Sequence, residues 1–448
     1  MAGSRKRNIG RVKEDRISVL PHNILETILC CLPIRDAVRT SVLSRNWRHC
    51  WTMIPNLEFD GDIICSASLS RSKCHARELN AGKFVSVINR VLLLHNGPIL
   101  KFSLSLPSFC DDQIIHDYVD QWIPLFLKKG TQQLTLDGYV PGQFTAHNFS
   151  SLDLTHLRLA YVRLPYPPAS GGLTYLRIIE LVGVSTAEQS IMDCPVLQKL
   201  TLLHCVGILP MNFIAPNLKC LHQRCHKMTS EDSLVGFKNL TEFSYWLSSE
   251  PEMQTEIPNV VKVFGNLYKI EKVYIANHFI TYLAAGGSPN RLSYPLAYLK
   301  TLSISYICLN RLSEVSCLLC LIRSAPNLCK LNILASLTDL GEEGDFKDCW
   351  DEDYEDCSVD HLEIVTFSNF VGHKAELEFV KFLLAHSPVL KTMYINRDQK
   401  MENDVAVKIL EEILKFSRAS SRAEIKHLKD PFDAVDYGPW VTEDYVYG

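Results

Sequence analysis

The chain lacks any unbroken apolar run of about 18 residues, the length a helix needs to cross a bilayer, so no membrane partner is expected. It also lacks a basic surplus. Lys and Arg total 46 against 50 Asp and Glu, a formal net charge of −4, and a nucleic-acid partner is therefore not expected. The first residues, MAGSRKRNIGRVKEDRIS, have no apolar centre of the secretory kind, which points to an intracellular address, nuclear or cytoplasmic. Arg5-Lys6-Arg7 reads as solvated tail or as a weak nuclear-import signal. Also missing are G-x-S-x-G, H-E-x-x-H, a P-loop and a dinucleotide fingerprint. Their absence lowers the expectation of an enzyme, and no cofactor is expected.

Cysteine is not scarce: there are 16, several inside apolar runs such as Cys30-Cys31 and the CLLC of 317–320. Without a secretory signal they read as reduced, buried small hydrophobes. CLLC also has the spacing of a redox pair, but its apolar neighbours favour a buried helix. CLHQRCH offers Cys220, His222, Cys225 and His226, a composition similar to a zinc cluster. Strand alternation sends Cys220 and His222 to one face and Cys225 to the other, so four ligands could not converge and no metal is expected.

The first folded unit spans Asp15 to Asp60. LPHNILETILCCLP places Ile24, Leu25, Ile28, Leu29 and Leu32 on one helical face, opened near Pro21 and closed by Pro33. IRDAVRTSVL carries Ile34, Val38 and Val42 in stripe. LSRNWRHCW predicts a third helix, with Ser44 as its N-cap, Trp47 and Trp51 one turn apart, and Pro55 as its limit. Three short helices have more apolar side chains here than so small a core can hide. A docking role follows from that excess.

Beyond it the pattern L-x-x-L-x-L recurs: LTHLRL (154–159), LTYLRI (173–178), LQKLTL (197–202), IEKVYI (270–275), LKTLSI (299–304) and LCKLNI (328–333). Its period varies from about 19 to 34 residues, spanning and exceeding that of leucine-rich repeats. Each x-L-x-L predicts a short strand with its leucines inward, and helical stretches such as LSEVSCLLCLIRSAP lead into the next strand. The fold class is therefore α/β, a solenoid of parallel strands and helices behind a small helical unit. GEEGDFKDCWDEDYEDCSVD (341–360) breaks the pattern and reads as a solvated loop, or as a docking site for a basic partner.

These stretches carry a family resemblance. DRISVLPHNILETILCCLPIRDAVRTSVLSRNWRHCW resembles an F-box, the docking module of substrate receptors in Skp–cullin–F-box ubiquitin ligases. The repeats resemble those of plant F-box proteins, and DHLEIVTFSNFVGHKAELEFVKFLLAHSPVLKTMYI resembles the FBD module that closes many such chains. The resemblance implies a basic tail (1–14), an F-box (15–60), a linker (61–80), repeats (81–340), an acidic loop (341–358), an FBD module (359–430) and a C-terminal tail (431–448). It also implies that Leu20, Pro21, Ile24, Leu25, Ile28, Leu32, Pro33, Val38, Leu43, Ser44, Trp47 and Trp51 dock a small Skp-type adaptor, which brings the cullin. Ile28, Val42 and Trp47 could equally be internal core.

Residues alternating with the leucines should line an exposed sheet face that meets an unknown protein substrate: Arg158, Tyr175, Arg177, Lys199, His222, Arg224, Trp246, Lys272 and Tyr274. Their basic and aromatic character suits an acidic or phosphorylated partner, and a plain solvated face would look the same. A hormone-like small-molecule sensor and an adaptor-binding scaffold without ligase function remain the alternatives.

Overall fold

The computed structural model describes residues 20–60, 75–106, 118, 121–122, 124–126, 128–140, 153–164, 173–186, 191–226, 237–249, 260–336, 359–398 and 401–427. The expected basic tail (1–14), acidic loop (341–358) and C-terminal tail (431–448) lie outside them, as does most of the 61–80 linker. That linker ends earlier than expected, because a 20-residue helix already begins at His75 and runs to Leu94. No helix among the described residues is long and apolar enough to span a membrane. Contacts divide the chain into two units, meeting between Arg163 and Leu164.

The first unit opens with the helix His22–Cys30, whose Leu25 and Leu29 are buried. Proline ends this helix and starts the next, since it lacks an amide hydrogen and disfavours helix in the residue before it. Ile34–Arg39 follows, then a 3₁₀ turn at Thr40–Val42. The expected third α-helix is not formed. Trp47 and Trp51 are both buried, but the segment is turns ending in a 3₁₀ turn, Cys50–Met53. Its amides reach back three residues, Arg48 to Arg45, Cys50 to Trp47 and Thr52 to His49. The Cys50 thiol donates to the Asn46 carbonyl at 2.9 Å.

Strands Asn56–Asp60, Lys101–Ser105, Gln133–Val140 and His156–Leu164 then pair side by side, all parallel. The LHNGP turn fastens the helical module to them. Asn96 and Gly97 both donate to the Thr52 carbonyl, and His95 Nε2 lies 2.8 Å from the Ile54 carbonyl. His95 is 3% exposed, and burial lowers its pKa from the ordinary 6.5. The folded state thus binds the neutral ring. Its contribution is complete above the ordinary value and is lost as pH falls from there through the depressed one. Protection factors at residues 52–57, corrected for the slower intrinsic exchange at low pH, are expected to fall on acidification from pH 7 to 5.5, a step that His95→Gln should flatten. Gly97 is needed at this turn because a Cβ would meet Met53 Cα at 3.0 Å and its carbonyl oxygen at 3.1 Å. Gly97→Val is expected to cost about 2 kcal/mol in urea unfolding of the first unit.

The second unit continues with Ile178–Val182, Lys199–Leu203, Cys220–Cys225, Glu242–Leu247, Lys272–Asn277, Thr301–Ile307, Lys330–Ala335, Ile364–Phe370, Thr392–Arg397 and Glu424–Lys426. Each is parallel to the next. Inward rows run straight across it: Leu200, Leu221, Phe243, Val273, Leu302, Leu331 and Val365 share one register and are fully buried. One expected repeat is misplaced. In LTYLRI the strand begins only at Ile178, and Ile179 and Leu181, not Leu176 and Ile178, align with Leu200 and Leu202. The working pattern is LRIIEL, three residues later.

Two further devices repeat. In the N-L turns, preceded by Pro216, Lys238 and Pro326, the asparagine amide donates to a carbonyl one repeat back: Asn217 to Pro195, Asn239 to Pro216 and Asn327 to Ala297, at 2.7 to 2.8 Å. At the strand exits the backbone turns left-handed. Tyr161, His204, Asn277, Tyr306 and Asn369 all have φ between 51° and 63°, Gly183 takes the same step at 59°, and Gly138 has a wider positive φ of 134°. Each follows the second inward residue by two positions, so neighbouring exits of regularly paired strands follow in register (Gly183 beside His204, Asn277 beside Tyr306).

Candidate interaction surfaces

The helix His22–Cys30 has apolar side chains on more than the face it buries. Leu25 and Leu29 point into the unit, while Ile24, Ile28 and Leu32, spaced four apart, are 42%, 39% and 38% exposed. Pro21 and Pro33 are exposed at the two ends of this stripe. On the following turn Leu43 is 62% exposed and Val42 is 86% exposed. So much exposed aliphatic surface in so short a module marks an interface.

Of the twelve residues assigned to adaptor docking, Pro21, Ile24, Ile28, Leu32, Pro33 and Leu43 are exposed, and Leu20, Val38 and Ser44 are half-buried. Leu25, Trp47 and Trp51 are buried within the chain itself, so their assignment as surface anchors is corrected to internal core. The Trp47 indole N–H and the Ser44 hydroxyl are buried without a hydrogen-bond partner. Val42 has the largest exposure of the group and is not core. Its i, i+4 spacing from Val38 marks a stripe but not which way the stripe faces.

The expected substrate face needs more correction. Tyr175 and Arg177 are not on the sheet, because the strand of that repeat starts after them. Both are exposed, on the approach to that strand. His222, Trp246 and Tyr274 do alternate with the inward rows, but they are buried rather than exposed. Neighbouring strands of a sheet lie only about 4.8 Å apart, so large residues on this face cover one another and the small residues between them. Trp246 packs with Leu203, Ala276, Val182 and Tyr306, and the Arg224 guanidinium sits 4.5 Å from its ring centre. Ser244 and Ser303 are likewise buried on this face.

Its charges are paired as well. Arg158 lies 3.7 Å from Asp137, Lys199 lies 3.3 Å from Glu180, and Lys272 lies 3.8 Å from Glu242. Glu242 also meets His222 at 2.9 Å, and that hydrogen bond is the main reason its carboxyl is held below the usual range. The face therefore offers compensated pairs and not the free basic strip the sequence implied. Lys272 remains exposed.

Elsewhere, Cys317 and Cys320 are buried, their thiols pushed up by burial to about 12 and about 11. Neither is a reactive thiolate at neutral pH. Among the described residues no group of three His, Cys, Asp or Glu side chains is placed to hold a metal ion. One surface carried no sequence signal: on the helix Asn403–Ile413 and just beyond it, Val407, Leu410 and Leu414 are exposed at i, i+3 and i+7.

Family models match three stretches in order. The F-box domain covers residues 17–59, the LRR repeats of FBD-associated F-box protein At5g56370 cover 119–333, and FBD covers 356–395. An F-box/FBD/LRR-repeat protein of Arabidopsis thaliana, At1g13570, is 34% identical over 93% of this chain and 99% of its own length. A second from the same plant, At3g52680, is 24% identical over 93% of this chain and 94% of its own. Among solved structures, an internalin of Listeria monocytogenes covers 63% of this chain and 76% of its own at 13% identity, with a TM-score of 0.28. With F-box, repeats and FBD in sequence, and a relative matched from end to end, the chain belongs to the F-box/FBD/LRR-repeat protein family.

Proposed function

We propose that this chain is the non-catalytic, intracellular substrate-recognition subunit of a Skp–cullin–F-box ubiquitin ligase. Its F-box binds a Skp-type adaptor, and through it a cullin, while the second unit receives a protein target. The observation that carries this reading is the exposed Ile24, Ile28 and Leu32 stripe on the first helix of the segment matched as an F-box. Such a subunit works by holding its target close to a ubiquitin-loaded enzyme, a gain in effective concentration that needs no catalytic group of its own.

The test is co-purification of the full chain with a Skp-type adaptor, against an Ile24→Asp/Ile28→Asp variant whose fold is checked by circular dichroism. Retention by wild type and loss by the folded variant supports the reading. A folded wild-type chain that retains no adaptor would leave a repeat protein without a ligase role. Target recognition is placed on the residues of the second unit that remain accessible, Lys272 among them, and on the loops that follow the left-handed strand exits. The buried Trp246 and Tyr274 act as supports of that surface.

A further inference from the structure

The first unit holds a cavity of about 1140 Å³ that the docking stripe does not use. None of its lining residues comes from the helix His22–Cys30. Its apolar part is formed by Ile34, Val38, Trp51, Phe59, Val87 and Val91. Arg35, Arg39, Arg45, Arg48 and Arg90 line it too, with His49, and no aspartate or glutamate is among the lining residues. In a chain whose net charge is −4, five guanidinium groups around one cavity without a carboxylate are a local inversion of charge. Arg39 lies 3.3 Å from Asp36, which is not in the lining. Among the described residues, the guanidinium groups of Arg45, Arg48 and Arg90 make no hydrogen bond or ion pair.

We propose that this cavity binds a small polyanion, a molecule bearing two or more phosphate groups together with a ring or aliphatic portion. Guanidinium is the side chain suited to this task, because its planar fork meets phosphate oxygens two at a time and it stays charged at any physiological pH. The apolar lining accounts for the second half of the ligand, and the volume lies just above the roughly 300 to 1,000 Å³ of typical small-molecule sites. The guanidinium groups of Arg45, Arg48 and Arg90 repel one another, and an anion set among them removes that repulsion as well as adding its own contacts. Because the cavity shares Val38 and Ser44 with the predicted docking surface, its occupancy also bears on the adaptor.

The experiment is isothermal titration of the full chain with inorganic tripolyphosphate, comparing wild type, Arg45→Ala/Arg48→Ala and the distant control Lys391→Ala. Binding by wild type and the control, weakened roughly tenfold or more in the double variant, is the expected result. Absence of binding by wild type at millimolar tripolyphosphate, or equal affinity in all three chains, overturns the proposal. If the double variant does not fold, phenylglyoxal labelling of wild type reads the same site: tripolyphosphate is expected to protect Arg45, Arg48 and Arg90, and unprotected labelling overturns it. A third outcome also sinks the small-anion assignment. If tripolyphosphate is ignored while Arg45→Ala/Arg48→Ala loses a Skp-type adaptor, the arginines seat an acidic protein segment.

Discussion

Replacing Ile24 and Ile28 together by aspartate is expected to abolish adaptor capture while leaving the thermal midpoint of the chain nearly unchanged. Both side chains are already about three-fifths covered, so docking would bury only the remainder of each, worth about 1 kcal/mol apiece. The larger effect is the carboxylate. An unpaired charge forced into an apolar contact costs several kcal/mol, so the two substitutions should exceed about 4 kcal/mol, a thousandfold loss of affinity. Neither aspartate has to be buried in the free chain, which is why folding should survive. Leu25→Asp, one residue along on the buried side, should instead unfold the module. Calorimetric titration with the adaptor, read beside melting curves of the three chains, separates an interface from a core. Equal adaptor affinity in the Ile24→Asp/Ile28→Asp chain would place the interface elsewhere.

Glu376→Ala is the second large effect. Glu376 is 4% exposed, and one of its carboxylate oxygens accepts the backbone N–H groups of Val371, Gly372 and His373 at 3.1, 2.7 and 3.0 Å. Alanine would leave three backbone donors, on the half-buried Val371 and Gly372 and the exposed His373, without their acceptor at the start of the helix Lys374–His386, a loss of about 2 to 3 kcal/mol in urea unfolding of the second unit. Burial raises the Glu376 pKa above the ordinary 4.5, its three hydrogen bonds opposing the shift. The folded state therefore holds this proton where the unfolded chain has released it, and stability from this group falls as pH rises from 4.5 through the raised value. Glu376→Gln has no proton to lose, so its penalty relative to wild type should shrink across that same window. A penalty that grows with pH would contradict the assignment. Glu314 holds the corresponding place in the helix Leu312–Arg323, accepting from the Cys308 amide and the Thr281 hydroxyl.

The parallel repeat architecture was readable because leucine spacing is a local signal that pairing merely extends. LTYLRI shows its limit. Leu173, Leu176 and Ile178 satisfy the pattern as well as Leu176, Ile179 and Leu181 do, and only pairing with Leu200 and Leu202 chooses between them. Four-residue spacing of two tryptophans likewise fits an α-helix, yet these indoles are buried from a chain of turns and 3₁₀ geometry, which the spacing alone could not distinguish. The stripe on the first helix was visible as an apolar excess, but Leu25 and Ile24 differ by a single step in sequence and by opposite fates in burial. His222, Trp246 and Tyr274 do lie on the outward face that alternation gives them, yet they are covered there. Alternation reports direction, whereas cover depends on which neighbour stands one strand away. The arginine cavity gathers residues from Arg35 to Arg90 through tertiary packing, and no linear motif announces it.

The left-handed residue that closes so many strands acts as punctuation. In the strands that have it, it stands at a fixed point, two residues past the second inward side chain, whatever its identity, whether glycine, asparagine, histidine or tyrosine. The connection leaving that point can then change in length without disturbing the strand before it. Strand starts lie 21 residues apart between Ile178 and Lys199 and 29 apart between Lys272 and Thr301, with the parallel register intact in both places. A receptor built this way keeps its frame constant while its loops are rewritten, so new targets can be acquired between the strands without refolding the sheet that presents them.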